Sequence, residues 1–267
     1  MLSFDKITSL QNPRIKGVME LLEKSRERRV QQLFVVEGLR EIQLAMTSGY
    51  RIDALYFCPE IGNAANFILS LPKEIRTTPV NAEVFAKMAY REHSDGALAV
   101  FHAEKLSLNN IKLPKNPFVL ILEAVEKPGN LGAILRTADA AKVDAVIVCD
   151  PSCDIYNPNV IRSGIGCVFT QQIAVCTSKE ALDWLKQHRI SIYATELKAS
   201  QWYHETDMTN AVAIVMGTES DGLSDFWLAN ADVRIKIPMR GKIDSLNVSV
   251  STAVIVFEAM RQRNFNE

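Results

Sequence analysis

The sequence has no apolar run approaching the about 18 residues that a membrane-crossing helix needs. Its amino terminus, MLSFDKITSLQNPRIK, lacks the basic-then-apolar order of a secretory signal, so a cytoplasmic location and no membrane partner are expected. Cysteine is scarce: Cys58, Cys149, Cys153, Cys167 and Cys176 are odd in number and form no CxxC pair. That pattern excludes a disulfide framework and reads as reduced core thiols, with no metal expected. Charge of one sign is also missing, since 30 Lys and Arg face 31 Asp and Glu. A net charge of -1 argues against a protein that coats nucleic acid indiscriminately, although a local basic patch remains open. Gly164 and Gly166 begin a dinucleotide fingerprint that fails at Phe169, and no GxxxxGK[ST] loop, HExxH or GxSxG elbow occurs. His93, His102, His188 and His204 share no motif and read as structural or surface residues.

What is present is a globular chain of 267 residues, 48% hydrophobic, long enough for one large domain or two ordinary ones. A basic helix is expected from about Asn12 to Arg29. It carries Arg14, Lys16, Arg26, Arg28 and Arg29, which suit phosphate contacts but equally suit a solvated face paired with Glu23 and Glu27. Apolar runs and helical patterns then alternate through Leu33–Val36, Leu39–Met46, Ala54–Cys58, Ala64–Leu69, Val84–Met88 and Leu98–Phe101, a small α/β unit. The polar, proline-containing stretch from Glu104 to Pro117 reads as a linker. The expected division is 1–104, a linker at 105–116, and a second domain at 117–267.

From Phe118 the apolar runs lose period-two alternation: Phe118–Leu122, Ala145–Cys149, Ile190–Ala194, Ala211–Met216 and Val233–Ile237. Runs of that kind suit strands covered on both faces, hence a mostly parallel sheet. The final helix, Val248 to Arg263, is apolar nearly all round at first, as a deeply buried helix or half of a subunit interface would be.

Three polar segments each follow one of these strands. In the first, Pro128, Gly129 and Asn130 make a turn, Gly132 permits close approach, and Arg136 stands opposite the stripe of Leu131, Ile134, Leu135 and Ala138. Arg136 there is either a ligand-facing cation or a surface arginine paired with Asp139 or Glu126. The second runs from Val215 to Ser224, with Gly217 and Gly222 shaping a loop that carries Glu219 and Ser220. The third runs from Ile237 to Thr252, where Ser245, Asn247 and Ser249 stand before the last helix and can cap it or hold a ligand. In open parallel sheets ligands collect beyond the carboxyl ends of strands, where all three loops fall.

The order NLGAILRTA at 130–138, IVMGTESDGLS at 214–224 and IPMRGKIDSLNVSVSTA at 237–253 resembles the three motifs of the SpoU (TrmH) RNA 2'-O-ribose methyltransferases of the SPOUT superfamily. Residues 33–101 look like the substrate-binding domain that precedes the catalytic domain in many members. One departure is Lys127 before Pro128, where the family often has Asp. The resemblance implies an α/β fold whose carboxyl-terminal sheet contains a deep trefoil knot, with a small amino-terminal α/β domain. It also implies S-adenosyl-L-methionine as cofactor, RNA as substrate with ribosomal RNA favoured over tRNA, and a homodimer. Thr195, Glu196, Leu197, Met216, Gly217, Gly222, Ile237, Met239 and Leu246 would hold the cofactor. Arg136, Asn130, Glu219, Asn247 and Ser245 would form the catalytic centre. The rival readings are a base methyltransferase of the same superfamily and a non-catalytic RNA-binding or ribosome-assembly factor.

Overall fold

The computed structural model describes residues 6–90, 94–199, 201–218 and 220–265, so His93 and Glu219 lie outside the described residues. The chain divides into two compact units: Met1–Glu104 with Asp154–Phe169, and Lys105–Cys153 with Thr170–Glu267.

In the first unit the expected single basic helix is two. Asn12 caps α1 (Pro13–Glu23) by accepting the Arg14 N–H at 2.9 Å, with Pro13 preset for the first turn. The chain then turns extended at Lys24 (φ -111°, ψ 111°) before α2 (Ser25–Gln31). The break has a physical use. It carries Arg28 back to the carbonyls of Leu21 and Leu22 (2.6 and 3.2 Å), which the end of α1 would otherwise leave to water. Arg28 is 4% exposed and pairs with Asp154 at 2.5 Å, so it is withdrawn from the RNA-facing set expected from sequence. Arg14, Lys16, Arg26 and Arg29 are exposed.

Beyond α2 come β1 (Leu33–Glu37), α3 (Leu39–Thr47), β2 (Ile52–Phe57), α4 (Ala64–Ser70), β3 (Thr77–Pro79), α5 (Ala82–Met88) and β4 (Ala97–His102). The sheet order is β1-β4-β2-β3, antiparallel except where β3 joins β2.

The second unit contains β5 (Phe118–Glu123), α6 (Pro128–Ala140) and β6 (Ala145–Cys149). The chain then passes through α7 (Pro158–Ser163), which belongs to the first unit, and returns with β7 (Ile173–Cys176), α8 (Ser178–Gln187), β8 (Ser191–Thr195) and β9 (Gln201–Trp202). It ends with β10 (Val212–Met216), α9 (Asp225–Asn230), β11 (Val233–Lys236) and α10 (Val248–Gln262). The seven strands are ordered β7-β6-β5-β10-β8-β11-β9, and every pairing is parallel. Every residue of β5, β6 and β10 is buried, which is why these strands read as unbroken apolar runs. Within the stretch read as a linker, Leu108, Ile111 and Leu113 lie on this core, and the Leu106 carbonyl accepts the Val175 N–H at 3.0 Å.

The Asp154–Phe169 segment lies in sequence between strands of the second unit yet packs into the first. Its Tyr156 ring stacks on Phe34 with centroids 4.3 Å apart, and Phe169 meets Tyr50 edge-on at 5.1 Å. All five cysteines are free thiols. The neighbouring Cys176 and burial push the Cys149 thiol up.

Candidate active site

Register sets the loops after β8, β10 and β11 side by side, and β5, which leads into the first polar segment, pairs β10 on its other side with Leu122 opposite Met216. Met216 ends β10, Thr195 ends the neighbouring β8, and Thr195 is aligned with Ile235 of β11, the strand that leads into the third segment. The carboxyl ends of three adjacent strands therefore carry Thr195–Leu197, Met216–Gly222 and Ile237–Leu246. Parallel pairing makes this unavoidable once the strand order is set.

The loop after β10 is tied down. Thr218 and Gly222 bridge each other through N–H to carbonyl bonds of 2.9 and 3.3 Å, and the Thr218 hydroxyl accepts the Asp221 N–H at 3.0 Å. A Cβ on Gly217 would lie 2.2 Å from the Gly222 carbonyl, so only glycine allows this closure; Gly222 takes a left-handed φ of 72°. Beyond it, Glu123 at the end of β5 is 8% exposed and uses both carboxylate oxygens on Ser224, one for its N–H (2.9 Å) and one for its hydroxyl (2.6 Å). The apolar run ends at Leu122, and the sequence alone gives Glu123 no role. An acid closing an otherwise apolar strand, just before a motif loop, was the available signal. Thr195 adds a further tie by donating its hydroxyl to the Val215 carbonyl at 2.9 Å.

The loop after β11 differs. From Met239 to Leu246 it makes no backbone hydrogen bond among the described residues, and Ile243 and Leu246 are exposed. Leu197, from the loop after β8, is 61% exposed. Apolar side chains beside unpaired backbone donors and acceptors can hold a flat heterocycle that carries hydrogen-bonding edges. Ile237 and Met239 are half-buried, and Ser245 is exposed.

The first and third segments meet through two asparagines. Asn247 caps α10, accepting both the Ser249 N–H (2.9 Å) and the Ser249 hydroxyl (2.6 Å) on its Oδ1. Its Nδ2 donates to Asn130 Oδ1 in the first turn of α6 at 3.1 Å, and α10 packs against α6. The cap foreseen at this junction is thus Asn247, with Ser249 as its donor. Two helix N-termini are joined here, and the dipole at such ends favours an anion.

Arg136 lies on the exposed side of α6, away from buried Leu131, Ile134, Leu135 and Ala138. Asp139, one of its two candidate surface partners, accepts the Thr170 hydroxyl at 2.5 Å, and neither Asp139 nor Glu126 forms an ion pair with Arg136 among the described residues. Glu196 pairs with Arg234 at 3.4 Å. The cluster offers a permanent cation, a fixed pair of amides and a loop cradle on one sheet edge. Among the described residues, no group of three or more His, Cys, Asp or Glu is arranged to hold a metal, and no helix is long and apolar enough to cross a membrane.

Residues 117–257 match the SpoU rRNA Methylase family, and residues 12–99 match an MRM3-like substrate binding domain. The 23S rRNA (guanosine(2553)-2'-O)-methyltransferase RlmP of Bacillus subtilis (strain 168) is 27% identical over 94% of this chain and 98% of its own length. A solved RNA 2'-O ribose methyltransferase is 37% identical with a TM-score of 0.85, covering 97% of this chain and 99% of that one. The SpoU methyltransferase AviRb from Streptomyces viridochromogenes, solved in complex with the cofactor AdoMet, is 25% identical with a TM-score of 0.87, over 96% of this chain and 100% of its own. With both matched regions and the three motif loops gathered on one sheet edge, the chain belongs to the SpoU rRNA Methylase family.

Proposed function

We propose that this protein transfers a methyl group from S-adenosyl-L-methionine to a ribose 2'-hydroxyl of ribosomal RNA. The observation that carries the reading is the Asn247 to Asn130 hydrogen bond, which ties the first and third motifs together on the helix that carries exposed Arg136. Family membership and relatives named as 23S rRNA 2'-O-methyltransferases support the substrate class. A cytoplasmic site of action accords with an RNA of the ribosome.

The cradle fits the cofactor: a loop that only glycine can close at 217, unpaired backbone at 239–246, and exposed Leu197 and Leu246. Thr195, Glu196, Leu197, Met216, Gly217, Gly222, Ile237, Met239 and Leu246 would hold it. When bound, S-adenosyl-L-methionine supplies an electrophilic methyl on a sulfonium. The protein has to align the acceptor oxygen and assist loss of its proton. A guanidinium is never neutral in a protein and accepts no hydrogen bond, so Arg136 is not the base. Arg136 grips the RNA phosphate and stabilises the developing alkoxide, while an RNA phosphate oxygen or water takes the proton. Asn130 and Asn247 hold the ribose in line, and Ser245 touches cofactor or RNA.

Two assembly features go with this reading. Val250 and Phe257, two turns apart on α10, are 49% and 42% exposed, which supports a homodimer through that helix. In the sheet, β11 lies between β8 and β9 although both precede it, an order that suits a chain threaded as a trefoil knot. Arg136→Ala is expected to lower methyl transfer by roughly 100-fold or more while S-adenosyl-L-methionine binding, read by calorimetry, is unchanged. Near-normal transfer by that variant would sink the assignment.

A further inference from the structure

The first unit carries an aromatic and a cation that neither its fold nor the methyl-transfer chemistry uses. Tyr90, just beyond α5, is 52% exposed. The guanidinium carbon of Arg162 sits over its ring, 4.8 Å from the centroid. Arg162 comes from α7, the helix of the segment that packs into the first unit, and is itself exposed. The backbone at Tyr90 is fixed, because its N–H donates to Glu37 Oε2 at 2.7 Å. Tyr90 and Arg162 also line a small pocket together with Leu22, Val35, Glu37, Pro158 and Ile161.

An exposed cation–π pair contributes little to folding, so stability does not require this arrangement. It does suit a planar ligand, since unpaired bases stack on aromatic rings and on arginine planes alike. The Arg162 charge at the ring favours an anionic polymer, and the same unit carries further exposed cations. Leu22 belongs to α1, whose Arg14 and Lys16 are exposed, and α2 follows with exposed Arg26 and Arg29. A peptide would gain less from a lone aromatic under one guanidinium than a strand that carries a phosphate with every base.

We propose that Tyr90 and Arg162 form a stacking site for an unpaired nucleobase of the RNA substrate, remote in sequence from the methyl-transfer motifs. The inference rests on the RNA methyltransferase reading for the kind of polymer bound. It also gives the Asp154–Phe169 segment a function, namely to carry Arg162 onto the first unit.

The test measures binding of the full-length protein to fluorescently labelled single-stranded oligoadenylate, without cofactor or turnover. Tyr90→Ala should weaken binding roughly tenfold or more, and Tyr90→Trp should restore it. Arg162→Ala should weaken it and reduce the slope of log affinity against log salt by about one. The thermal midpoint and S-adenosyl-L-methionine affinity should match the wild type in all three variants, since both side chains are exposed. Unchanged oligoadenylate affinity in Tyr90→Ala, or no measurable affinity in the wild type, would overturn the proposal. Failure of the wild type to methylate ribosomal RNA would instead overturn the enzymatic reading and leave the binding comparison intact as evidence on the stacking site.

Discussion

Two loops on the same sheet edge are built on opposite principles. The loop at 217–224 is closed by paired Thr218 and Gly222, forced to glycine at 217 and anchored at its far end by Glu123. The loop at 239–246 has no backbone hydrogen bond among the described residues, and a Cβ added at its Gly241 would meet nothing within 4 Å. The difference assigns them separate tasks. The first is a preformed wall that exists before any ligand arrives. On the proposed reading, the second would keep its donors and acceptors for the cofactor and meet the entropy of ordering at the moment of binding.

The comparison breaks most readily at glycine. Gly217→Ala places a methyl 2.2 Å from the Gly222 carbonyl, where backbone rather than a movable side chain must give way. Loss of S-adenosyl-L-methionine binding by at least about 100-fold is expected in calorimetry, because strain of several kcal/mol displaces the wall. Glu123→Ala comes next. It removes two hydrogen bonds to a buried carboxylate, each of about 1.5–3 kcal/mol, and should lower stability in urea by a few kcal/mol, with partial recovery in Glu123→Gln.

Asn247→Ala removes the cap of α10 and the link to Asn130. The cap alone is worth about 1 kcal/mol of stability, so a fall in methyl transfer much larger than the roughly fivefold that this free energy represents would show that the Asn130 link acts in catalysis. Gly241→Ala is the sharpest contrast with Gly217→Ala, since stability should stay within about 0.5 kcal/mol of the wild type. A destabilisation there comparable to that of Gly217→Ala would contradict the open-loop description.

Much of the second unit was legible because its physics is local. Strands β5, β6 and β10 announce themselves as apolar runs, whereas β8 and β11 alternate buried with more exposed positions and Arg234 and Lys236 interrupt β11; the polar segments that follow these strands fall at the carboxyl edge whatever the strand order. What escaped was short or non-local. β7 has four residues and β9 two, below the length at which periodicity speaks, and α7 and α9 have six each. The break at Lys24 lies in a run of good helix formers, with no glycine or proline to mark it. It is set by Arg28 turning back to Leu21 and by Asp154, 126 positions away. Glu123 gains its meaning only from Ser224, 101 positions later. The spacing that gathered Asn130, Arg136 and Asn247 as candidates could not show that two of them touch.

The most direct measurement is the chemical position of the transferred methyl group. Ribosomal RNA methylated by this protein with labelled S-adenosyl-L-methionine, then hydrolysed in alkali, should release the label in alkali-resistant dinucleotides, since a 2'-O-methyl blocks cleavage at its own linkage. Label released in mononucleotides as a methylated base would contradict the account.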